Sequence, residues 1–575
     1  MSNNAIVNVT SRPMLTDSTL DDTLFAEVDR KSVEKISETH YSQLNKLFPD
    51  EGRSRAKAFG QFFTPSYVSA PMFERIVELM GEWHPDTLSI IDPFCGDGGL
   101  IVDFLAALSK KSWSKKVKLQ ISIWEIDKSL LSLAKNNILG AILEFSLKCN
   151  IVSKNIDTFS EALKHKEKFD ICVTNPPWSS TKSLKKNFFE EESEYLHYQK
   201  TCNNYAQMLD KVYKSVNDKD HSRIVDTNMS RFGLDACISL LKKGGLCGIV
   251  MPESFLSDSS SRNLRKEVFK QNQIHRIDYF SASLKPFKGA DQGCITCVIK
   301  KNNGQVLTQL YSHYEEGKII PAQLKSYMLN DVESKGESIP LGYSTAQIDV
   351  LFNMDKMRRI ESLKDIKIRK EKDETRITSI LKDKGDFLFL KGYMIDCFSV
   401  HYEHLFLSRK NFKKIPESVF MTKIVWRDVS RISQKKRVKA TIVPENCVAG
   451  NSLGVLYSKN RTVDLYVLLA IINSYVFEFY VNSKLTNNHI SIEAIKKAAI
   501  PDITKEDSIW ISSAVAKILH DQKKLTEYIY MLNARIGYCY GLTLEEYLLI
   551  LDKFSFSLDE KEYYTQAAKQ EWRKC

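Results

Sequence analysis

Short apolar runs alternate with longer amphipathic stretches between residues 55 and 300. Seven runs have the length and β-rich composition of buried strands, at 88–91, 119–124, 147–152, 169–174, 246–251, 275–280 and 294–300. Helix-like stretches lie between them, at 98–110, 128–139 and 231–243. Strands that alternate with helices predict a doubly wound, Rossmann-like α/β sheet, in which ligands bind beyond the carboxyl ends of the strands.

The rhythm changes after residue 300. Residues 300–304 (KKNNG) predict a turn or linker, and residues 333–345 predict a loop. Dense mixed charge at 356–378 is typical of a solvated helical face, and the stretches 509–532 and 544–554 predict packed helices. We expect four parts: an N-terminal helical extension, the α/β domain, a second domain of α+β type, and a C-terminal helical segment packed on it, at 1–54, 55–305, 306–505 and 506–575.

Composition narrows the class of protein. With 575 residues, 43% hydrophobic and 27% charged, the chain is not disordered, collagen-like or fibrous, and its net charge of +11 suits an anionic partner. The twelve cysteines lie mostly in apolar segments, and the pair Cys294 and Cys297 has no companion pair, so we expect a reduced compartment and no metal. The sequence has no secretory signal, and its longest apolar candidate, 465–477, is too short for a bilayer. We predict a cytoplasmic protein with no membrane contact.

Two predicted strands end in residues that suit a nucleoside-containing ligand. The first runs into Asp92 and the Gly-rich turn 96–99, where the backbone can approach a ligand closely. The second ends at Glu125, whose carboxylate can accept hydrogen bonds from ribose hydroxyls. The spacing of the glycines does not fit GxGxxG, which disfavours a nicotinamide dinucleotide.

The fourth strand ends in Asn175-Pro176-Pro177-Trp178, the most specific feature of the chain. The prolines fix the backbone, so that the Pro176 carbonyl and the Asn175 side-chain oxygen can converge on one planar NH2 group. The Trp178 ring offers a face for a flat base or amide. Taken alone, the tetrapeptide also fits a tight loop with a packed tryptophan.

The sequence resembles the Type II gamma-class N6-adenine DNA methyltransferases of restriction-modification systems. The similarity rests on five motifs in the gamma order, namely motif X, I, II, III and IV at 60–65, 92–100, 124–127, 155–157 and 175–178. The resemblance implies a seven-stranded S-adenosylmethionine-dependent methyltransferase domain. It also implies a C-terminal target-recognition domain, with an apolar helix at 465–474 and an Ile-Pro loop at 500–501.

The resemblance assigns roles to individual residues by position. The residues expected to hold S-adenosylmethionine are Thr64, Pro65, Asp92, Phe94, Gly96, Glu125, Ile126, Asp157 and Asn175. Asn175, Pro176, Pro177 and Trp178 would form the catalytic loop, and Trp178 and Phe287 would stack on the target adenine after its extrusion from the duplex. Leu100 departs from the family, which frequently has an aromatic residue there.

The stretch 423–439 is strongly basic. It contains seven basic residues and only one acidic residue, Asp428. The seven basic side chains suit phosphate contacts with double-stranded DNA, and they are Lys423, Arg427, Arg431, Lys435, Lys436, Arg437 and Lys439. An ordinary basic surface hairpin would have the same composition.

The resulting hypothesis is a site-specific DNA methyltransferase that modifies adenine N6 and protects host DNA from a separate cognate restriction endonuclease. Alternatives from the same chemistry are a methyltransferase acting on RNA adenine or on a protein glutamine amide. A DNA-binding protein with an inactive methyltransferase fold is the alternative from another class. We expect a monomer without endonuclease activity of its own.

Overall fold

The structure is a computed structural model. It describes residues 30–47, 59–81, 85–180, 189, 191–216, 227–287, 292–374, 377, 380–431, 434–485 and 488–573. Residues 1–29 and 48–54 of the predicted N-terminal extension therefore lie outside the described residues. Two compact units follow along the chain. The first comprises residues 1–255, 259–319 and 325–337, and the second comprises residues 256–258, 320–324 and 338–575.

The first unit contains the alternating elements that the hydrophobic pattern predicts. Its helices are α1 Arg30–Leu47, α2 Ser66–Met80, α3 Gly99–Ser109, α4 Lys128–Glu144, α5 Thr158–Glu161, α6 Glu192–Val212, α7 Met229–Leu240, α8 Ser254–Ser257, α9 Arg262–Gln271 and α10 Ser326–Lys335. Its strands are β1 Thr87–Asp92, β2 Lys118–Glu125, β3 Lys148–Asn155, β4 Phe169–Thr174, β5 Leu241–Pro252, β6 Gln273–Phe280, β7 Cys294–Lys300 and β8 Thr308–His313. Strand β9, Ile319–Leu324, comes next.

The strands of the first unit follow the order β3-β2-β1-β4-β5-β7-β6-β8 across the sheet. Pairing is parallel from β3 to β5, whereas β7 runs antiparallel between β5 and β6. The order reverses between β1 and β4, so the carboxyl ends of these two strands form the crevice where α/β sheets bind ligands. Strand β8 extends the sheet beyond residue 305, and the predicted domain boundary there remains a prediction.

Buried side chains explain why these segments form a sheet covered by helices. Strand β1 is almost wholly buried after its first residue, as expected of a parallel strand covered on both faces. Helices α2 and α3 place apolar residues such as Phe73 and Phe104 in the same core. Gly98 adopts φ +83° at the start of α3, and an added Cβ there would lie 3.0 Å from Ala134 of α4. The turn therefore requires glycine for both conformation and packing.

The second unit combines small sheets with helices. Its strands are β10 Arg358–Arg359, β11 Ile366–Arg369, β12 Phe387–Leu390, β13 Ile395–Asp396, β14 Ser399–Val400, β15 Phe406–Leu407, β16 Lys423–Arg427, β17 Ala440–Val443, β18 Cys447–Ala449, β19 Leu453–Ser458 and β20 Ala499–Ile500. Its helices are α11 Thr345–Met354, α12 Leu465–Ile472, α13 Tyr475–Lys484, α14 Ile492–Lys496, α15 Lys505–His520, α16 Lys524–Cys539, α17 Leu544–Leu551 and α18 Leu558–Trp572. The main sheet has the order β11-β19-β16-β17.

The prediction of a helical face at 356–378 is wrong for the described residues of that stretch. They include β10 and β11, and β11 pairs antiparallel with β19. Its burial alternates between half-buried isoleucines and exposed basic residues, the period of a strand rather than a helix. The pairing with β19 determines the conformation of β11. Mixed charge has no helical or strand periodicity by itself, so it could not distinguish the two.

The apolar stretch at 465–477 forms two short helices. Asn473 ends α12, and the Ser474 hydroxyl accepts from the Phe477 amide at the start of α13. Within the described residues, no single helix combines the length and apolarity of a membrane span. The pair α12 and α13, bent by 64°, passes that test only when the two helices are taken together.

Candidate active site

Asp92, at the end of β1, is buried at the switch point of the sheet. Its Oδ1 accepts from the Phe94 amide at 3.1 Å and from the Thr174 hydroxyl at 2.6 Å. Its Oδ2 is buried and accepts no hydrogen bond. Burial raises the pKa of the Asp92 carboxyl to about 7. The unpartnered oxygen is therefore available to a donor or cationic group of a ligand.

The turn after Asp92 is tied to the end of β2. Glu125 Oε2 accepts from the Gly96 amide at 2.9 Å, and Oε1 accepts from the Asp127 amide at 3.0 Å. Burial raises the pKa of Glu125, and these amide bonds oppose that rise. Ile126 is half-buried beside it, and Phe94 packs on Phe159 at 5.3 Å between ring centroids. Predicted cofactor residues from separate strands thus meet around one turn.

Asn155 is a site residue that sequence reasoning placed only within motif III. Its Nδ2 donates to the carbonyls of Glu125 and Ile126, at 2.9 and 2.8 Å. It therefore fixes the backbone that presents the predicted ribose- and adenine-binding residues. A bare Asn-x-Asp spacing gives no signal of this role, because the contact depends on the parallel pairing of β2 and β3.

Asp157 begins α5 and lies beneath the N-terminal helix α1. Its side chain accepts from the Ser160 amide at 3.1 Å. Burial raises the pKa of Asp157, and interaction with the Ser37 hydroxyl of α1 opposes this rise. His40 of α1 stacks on Tyr205 of α6, with ring centroids 4.3 Å apart. The described part of the N-terminal extension thus covers the residue predicted to hold the cofactor's amine.

Motifs X and IV meet at Asn175. Its Nδ2 donates to the Phe62 carbonyl at 2.9 Å and to the Thr64 hydroxyl at 3.1 Å. Its Oδ1 is buried and accepts no hydrogen bond. Because both contacts made by Nδ2 are to acceptors, the amide orientation is fixed and leaves Oδ1 facing outward from them. Leaving a buried acceptor unpaired is unfavourable by about 1–3 kcal/mol, which indicates a site built for a donor.

The two prolines and Pro65 hold the surrounding backbone. Pro176 is buried and Pro177 is half-buried. Pro65 caps α2, and its carbonyl accepts from the Val68 amide at 2.9 Å. A Cβ added to Gly60 would lie 2.7 Å from the Trp178 amide nitrogen, so the two motifs pass at backbone distance.

Trp178 lies in a cluster of aromatic rings. The Phe287 ring meets it edge-to-face at 4.7 Å between centroids, and Phe62 lies 5.5 Å from it. Trp178 and Phe287 are both buried, and Trp178 Nε1 donates no hydrogen bond. The structure therefore brings the two predicted stacking residues together beside Phe62, whose carbonyl accepts from Asn175 Nδ2. Phe62, absent from the predicted set, completes the cluster.

Two cations of the basic stretch belong to the core of the second unit. Lys423 Nζ lies 2.7 Å from Glu371 Oε1 and donates to the carbonyls of Ser418 and Cys447, and both members of the ion pair are fully buried. Burial lowers the pKa of Lys423. Arg437 is also buried, and its Nη1 donates to Asn482 at 3.2 Å. The prediction that these two residues contact DNA is wrong, because their charges are not accessible.

The other cations of the stretch differ in exposure. Lys436 is mostly buried against Glu478, 3.0 Å away, and over the Tyr475 ring. Arg427 is half-buried and donates to the Gly392 and Ile395 carbonyls. Arg431 is exposed, Lys435 pairs with Glu560 at 2.6 Å, and Lys439 pairs with Asp396 at 2.9 Å. Arg427 also lines a groove of about 410 Å³ with Glu374, Lys391, Gly392, Tyr393, Val429 and Ser452.

Comparison with known proteins gives two family matches. The N-6 DNA Methylase family profile matches residues 45–333, and the TaqI-like C-terminal specificity domain profile matches residues 388–504. The Type II methyltransferase M.VspI of Vibrio sp. (strain 343) is 23% identical over 259 residues, which are 44% of this chain and 51% of that protein. The match thus spans about half the length of that relative.

Comparison with solved structures gives alignments over nearly the whole chain. The Type IIL restriction-modification enzyme MmeI in complex with DNA aligns with a TM-score of 0.55 and 12% identity, covering 93% of this chain and 82% of that one. At this identity the likeness concerns the fold alone. It agrees with the predicted α/β architecture followed by a recognition-type domain.

Proposed function

Because the chain belongs to the N-6 DNA methylase family, we propose that it is a site-specific DNA methyltransferase that modifies N6 of adenine in a short duplex sequence. The observation that carries the proposal is the buried, unpartnered Oδ1 of Asn175 beside the aromatic cluster of Trp178, Phe287 and Phe62. An acceptor next to aromatic faces suits a flat base that presents an NH2 group.

The residues around Asp92 fit S-adenosylmethionine. The groups proposed to hold it are Thr64, Pro65, Asp92, Phe94, Gly96, Glu125, Ile126 and Asp157, and the free Asp92 oxygen suits its charged methionine end. When bound, this cosubstrate supplies a methyl group on a sulfonium that becomes a thioether, while the accepting nitrogen gains the methyl and releases one proton to water.

The chain's own residues would prepare the target nitrogen. The adenine amine is a weak nucleophile because its lone pair is delocalised into the ring. Asn175 Oδ1 and the Pro176 carbonyl would accept its two N–H groups and favour a tetrahedral nitrogen. Trp178 and Phe287 would hold the ring and replace part of the stacking lost from the duplex. Since the Trp178 and Phe287 rings already touch, they must separate to admit the base.

DNA would be bound by the exposed and partly exposed cations of the second unit. We assign phosphate contacts to Arg431, Lys435 and Lys439, with Arg427 and the groove beside it available to the DNA surface. Lys436 is accessible only in part. The further proposals are a monomer in the cytoplasm and a separate restriction endonuclease as the other component of the system.

The test is expression of the intact protein and of Asn175→Ala, followed by long-read sequencing of cellular DNA scored for modified bases. We expect N6-methyladenine at one short motif with the intact protein and none with Asn175→Ala. Asn150→Ala is the matched control, since Asn150 is exposed on strand β3. Soluble intact protein that leaves DNA unmarked, while labelled S-adenosylmethionine marks RNA or a glutamine amide, would contradict the proposal.

A further inference from the structure

The loop after β4 is held from a second side by the start of α7, in a segment that none of the five motifs includes. Asn228 Nδ2 donates to the Trp178 carbonyl at 3.0 Å, and the Met229 amide donates to the Ser179 carbonyl at 2.9 Å. Ser180 and Asn228 also form an isolated β-bridge. The backbone at the start of α7 is therefore hydrogen-bonded to the backbone that follows the catalytic loop.

Asn228 uses the two ends of its amide for different tasks. Its Oδ1 accepts from the Ser230 amide at 3.0 Å and from the Ser230 hydroxyl at 2.7 Å, which caps α7. Because the Ser230 amide can only donate, Oδ1 must face it, and Nδ2 must face the Trp178 carbonyl. Capping the helix requires only the oxygen, whereas holding the loop requires the NH2 group.

Both backbone polar groups of Trp178, the amide N–H and the carbonyl, form hydrogen bonds. Its amide donates to the Gly60 carbonyl at 3.4 Å, and its carbonyl accepts from Asn228. One contact comes from motif X and the other from α7. The backbone at Trp178 therefore cannot rotate without breaking a contact to one of these two segments.

Helix α7 also touches the catalytic loop one turn further on. A Cβ added to Gly233 would lie 2.4 Å from Pro176 Cβ and 3.5 Å from the Phe94 ring. Contacts of that length do not occur between carbon atoms, so this position accepts only glycine unless Pro176 moves. The helix thus sets the place of Pro176 by contact and that of Trp178 by a hydrogen bond.

On the basis of the proposed function, we propose that Asn228 is a positioning residue for the methyl transfer, which aims the Pro176 carbonyl and the Trp178 ring through its hydrogen bond to the Trp178 backbone. Asn228 touches neither the cofactor residues around Asp92 nor Asn175 itself by any hydrogen bond described. Its loss should therefore affect the rate of the reaction on DNA rather than the affinity for S-adenosylmethionine.

Asn228→Asp separates the two tasks. The variant keeps an oxygen for the Ser230 amide and loses the donor to the Trp178 carbonyl. We expect kcat for DNA methylation to fall about 10- to 100-fold, the range that displacement of a reacting group produces. The KM for S-adenosylmethionine should stay close to that of the intact protein, and the thermal unfolding temperature should fall no further than when another side-chain amide that holds a backbone carbonyl is replaced in the same way.

Asn263→Asp is the matched control, because Asn263 Nδ2 also donates to a backbone carbonyl, that of Ser215, at 2.8 Å. The inference is overturned if Asn228→Asp retains full kcat, or if its loss of rate is matched by an equal loss in Asn263→Asp. Failure of the intact protein to methylate any duplex would instead overturn the proposed function, so the two failures are distinguishable.

Discussion

Asp92 and Asn175 each keep one buried oxygen without a partner, and the two residues follow adjacent parallel strands. A protein stabilised only for folding would pair or expose such atoms. The Asn175 oxygen can only accept a hydrogen bond, and the Asp92 oxygen can accept one when the carboxyl is ionised, so both suit ligands that present donors. Two unsatisfied oxygens at the ends of neighbouring strands therefore mark this edge of the sheet as a ligand site.

A pH prediction follows from Asp92. Its carboxyl has a pKa of about 7 in the folded chain, above its ordinary value, so its neutral form is favoured by folding. The stability that this preference gives is present below about pH 4 and is lost as the pH rises through 7. An asparagine at this position has no proton to lose in that range. We expect Asp92→Asn to raise the unfolding temperature relative to the intact protein more at pH 8 than at pH 5.

The scale of this effect is about 1.4 kcal/mol for each unit of pKa shift. Differential scanning calorimetry without S-adenosylmethionine measures it at both pH values. An equal difference in unfolding temperature at pH 5 and pH 8 would contradict the assignment of a raised pKa to Asp92.

Lys423 leads to a second prediction at the residue scale. Replacing it with methionine leaves Glu371 buried without its cation, although the Ala449 amide still donates to that carboxylate. Breaking a buried ion pair is typically unfavourable by about 3–5 kcal/mol. Lys423→Met should therefore lower the unfolding temperature markedly, while Lys439→Met, at a partly exposed pair, should change it little. Calorimetry measures the unfolding temperatures of the two variants. An equal decrease in both would contradict the burial of the Lys423 ion pair.

The same residues show how far sequence reasoning reaches. Asn175, Trp178, Asp92 and Glu125 could be selected as candidate site residues, because each lies at or soon after the end of a recognisable apolar strand. The burial of Lys423 could not be predicted, because its partner Glu371 lies 52 positions away and enters only through the fold. Asn228 was not identified for the same reason. Its partner is a backbone carbonyl, and because every residue has one, no residue type in the sequence indicates the contact.

At the scale of elements, strands β1 to β7 of the first unit were predicted within a few residues, because buried strands read as short apolar runs, whereas β8 was not predicted. No strands were predicted at β16 to β19, and the stretch that contains β11 was predicted as a helical face. These are short strands whose conformation is decided by pairing rather than by composition. The profile match at 388–504 identifies the domain that contains these strands, but it does not show which strands pair.

Helix α1 carries a pH prediction of opposite sign. Burial lowers the pKa of His40, stacked on Tyr205, to about 4. For a base with a lowered pKa, the stability is present above about pH 6.5 and is lost as the pH falls towards 4. We expect hydrogen exchange in residues 30–47, corrected for intrinsic rates, to accelerate from pH 7 to pH 5. His40→Phe retains the stacked ring and should show less acceleration.

Faster exchange of α1 in both proteins to the same degree would contradict a role for His40. Because α1 lies over Asp157, the affinity for S-adenosylmethionine, measured by calorimetry at the two pH values, provides a parallel readout in the same pair of proteins.

At the scale of the whole molecule, chemistry is assigned to the first unit and DNA contact to the second. The net charge of +11 did not locate that contact, because several of the basic side chains are balanced by acidic partners inside the second unit. Only burial and pairing distinguish a cation of the core from one that can meet a phosphate. The bounds proposed for the domains depend on this division and remain a prediction.

The affinity for duplex DNA should depend on salt through the exposed cations. Each phosphate contact contributes about 0.9 to the slope of log affinity against log salt concentration. Arg431→Ala should lower the slope by about that amount and weaken binding to all sequences alike. Lys505→Ala, at an exposed position outside the basic stretch, is the control. Fluorescence anisotropy with a labelled duplex gives both slopes, and an unchanged slope for Arg431→Ala would exclude that phosphate contact.

The two contacts to the Trp178 backbone also bear on how the chain folds. They come from Gly60 and Asn228, on opposite sides of it in sequence, and the bond from Asn228 alone spans 50 positions. Contacts that close long loops form slowly, because the entropy of closure precedes their benefit. During synthesis, strands β1 to β4 emerge before Asn228 exists. The loop on which the chemistry depends therefore cannot gain its second backbone contact until the chain has been synthesised at least 50 residues beyond Trp178.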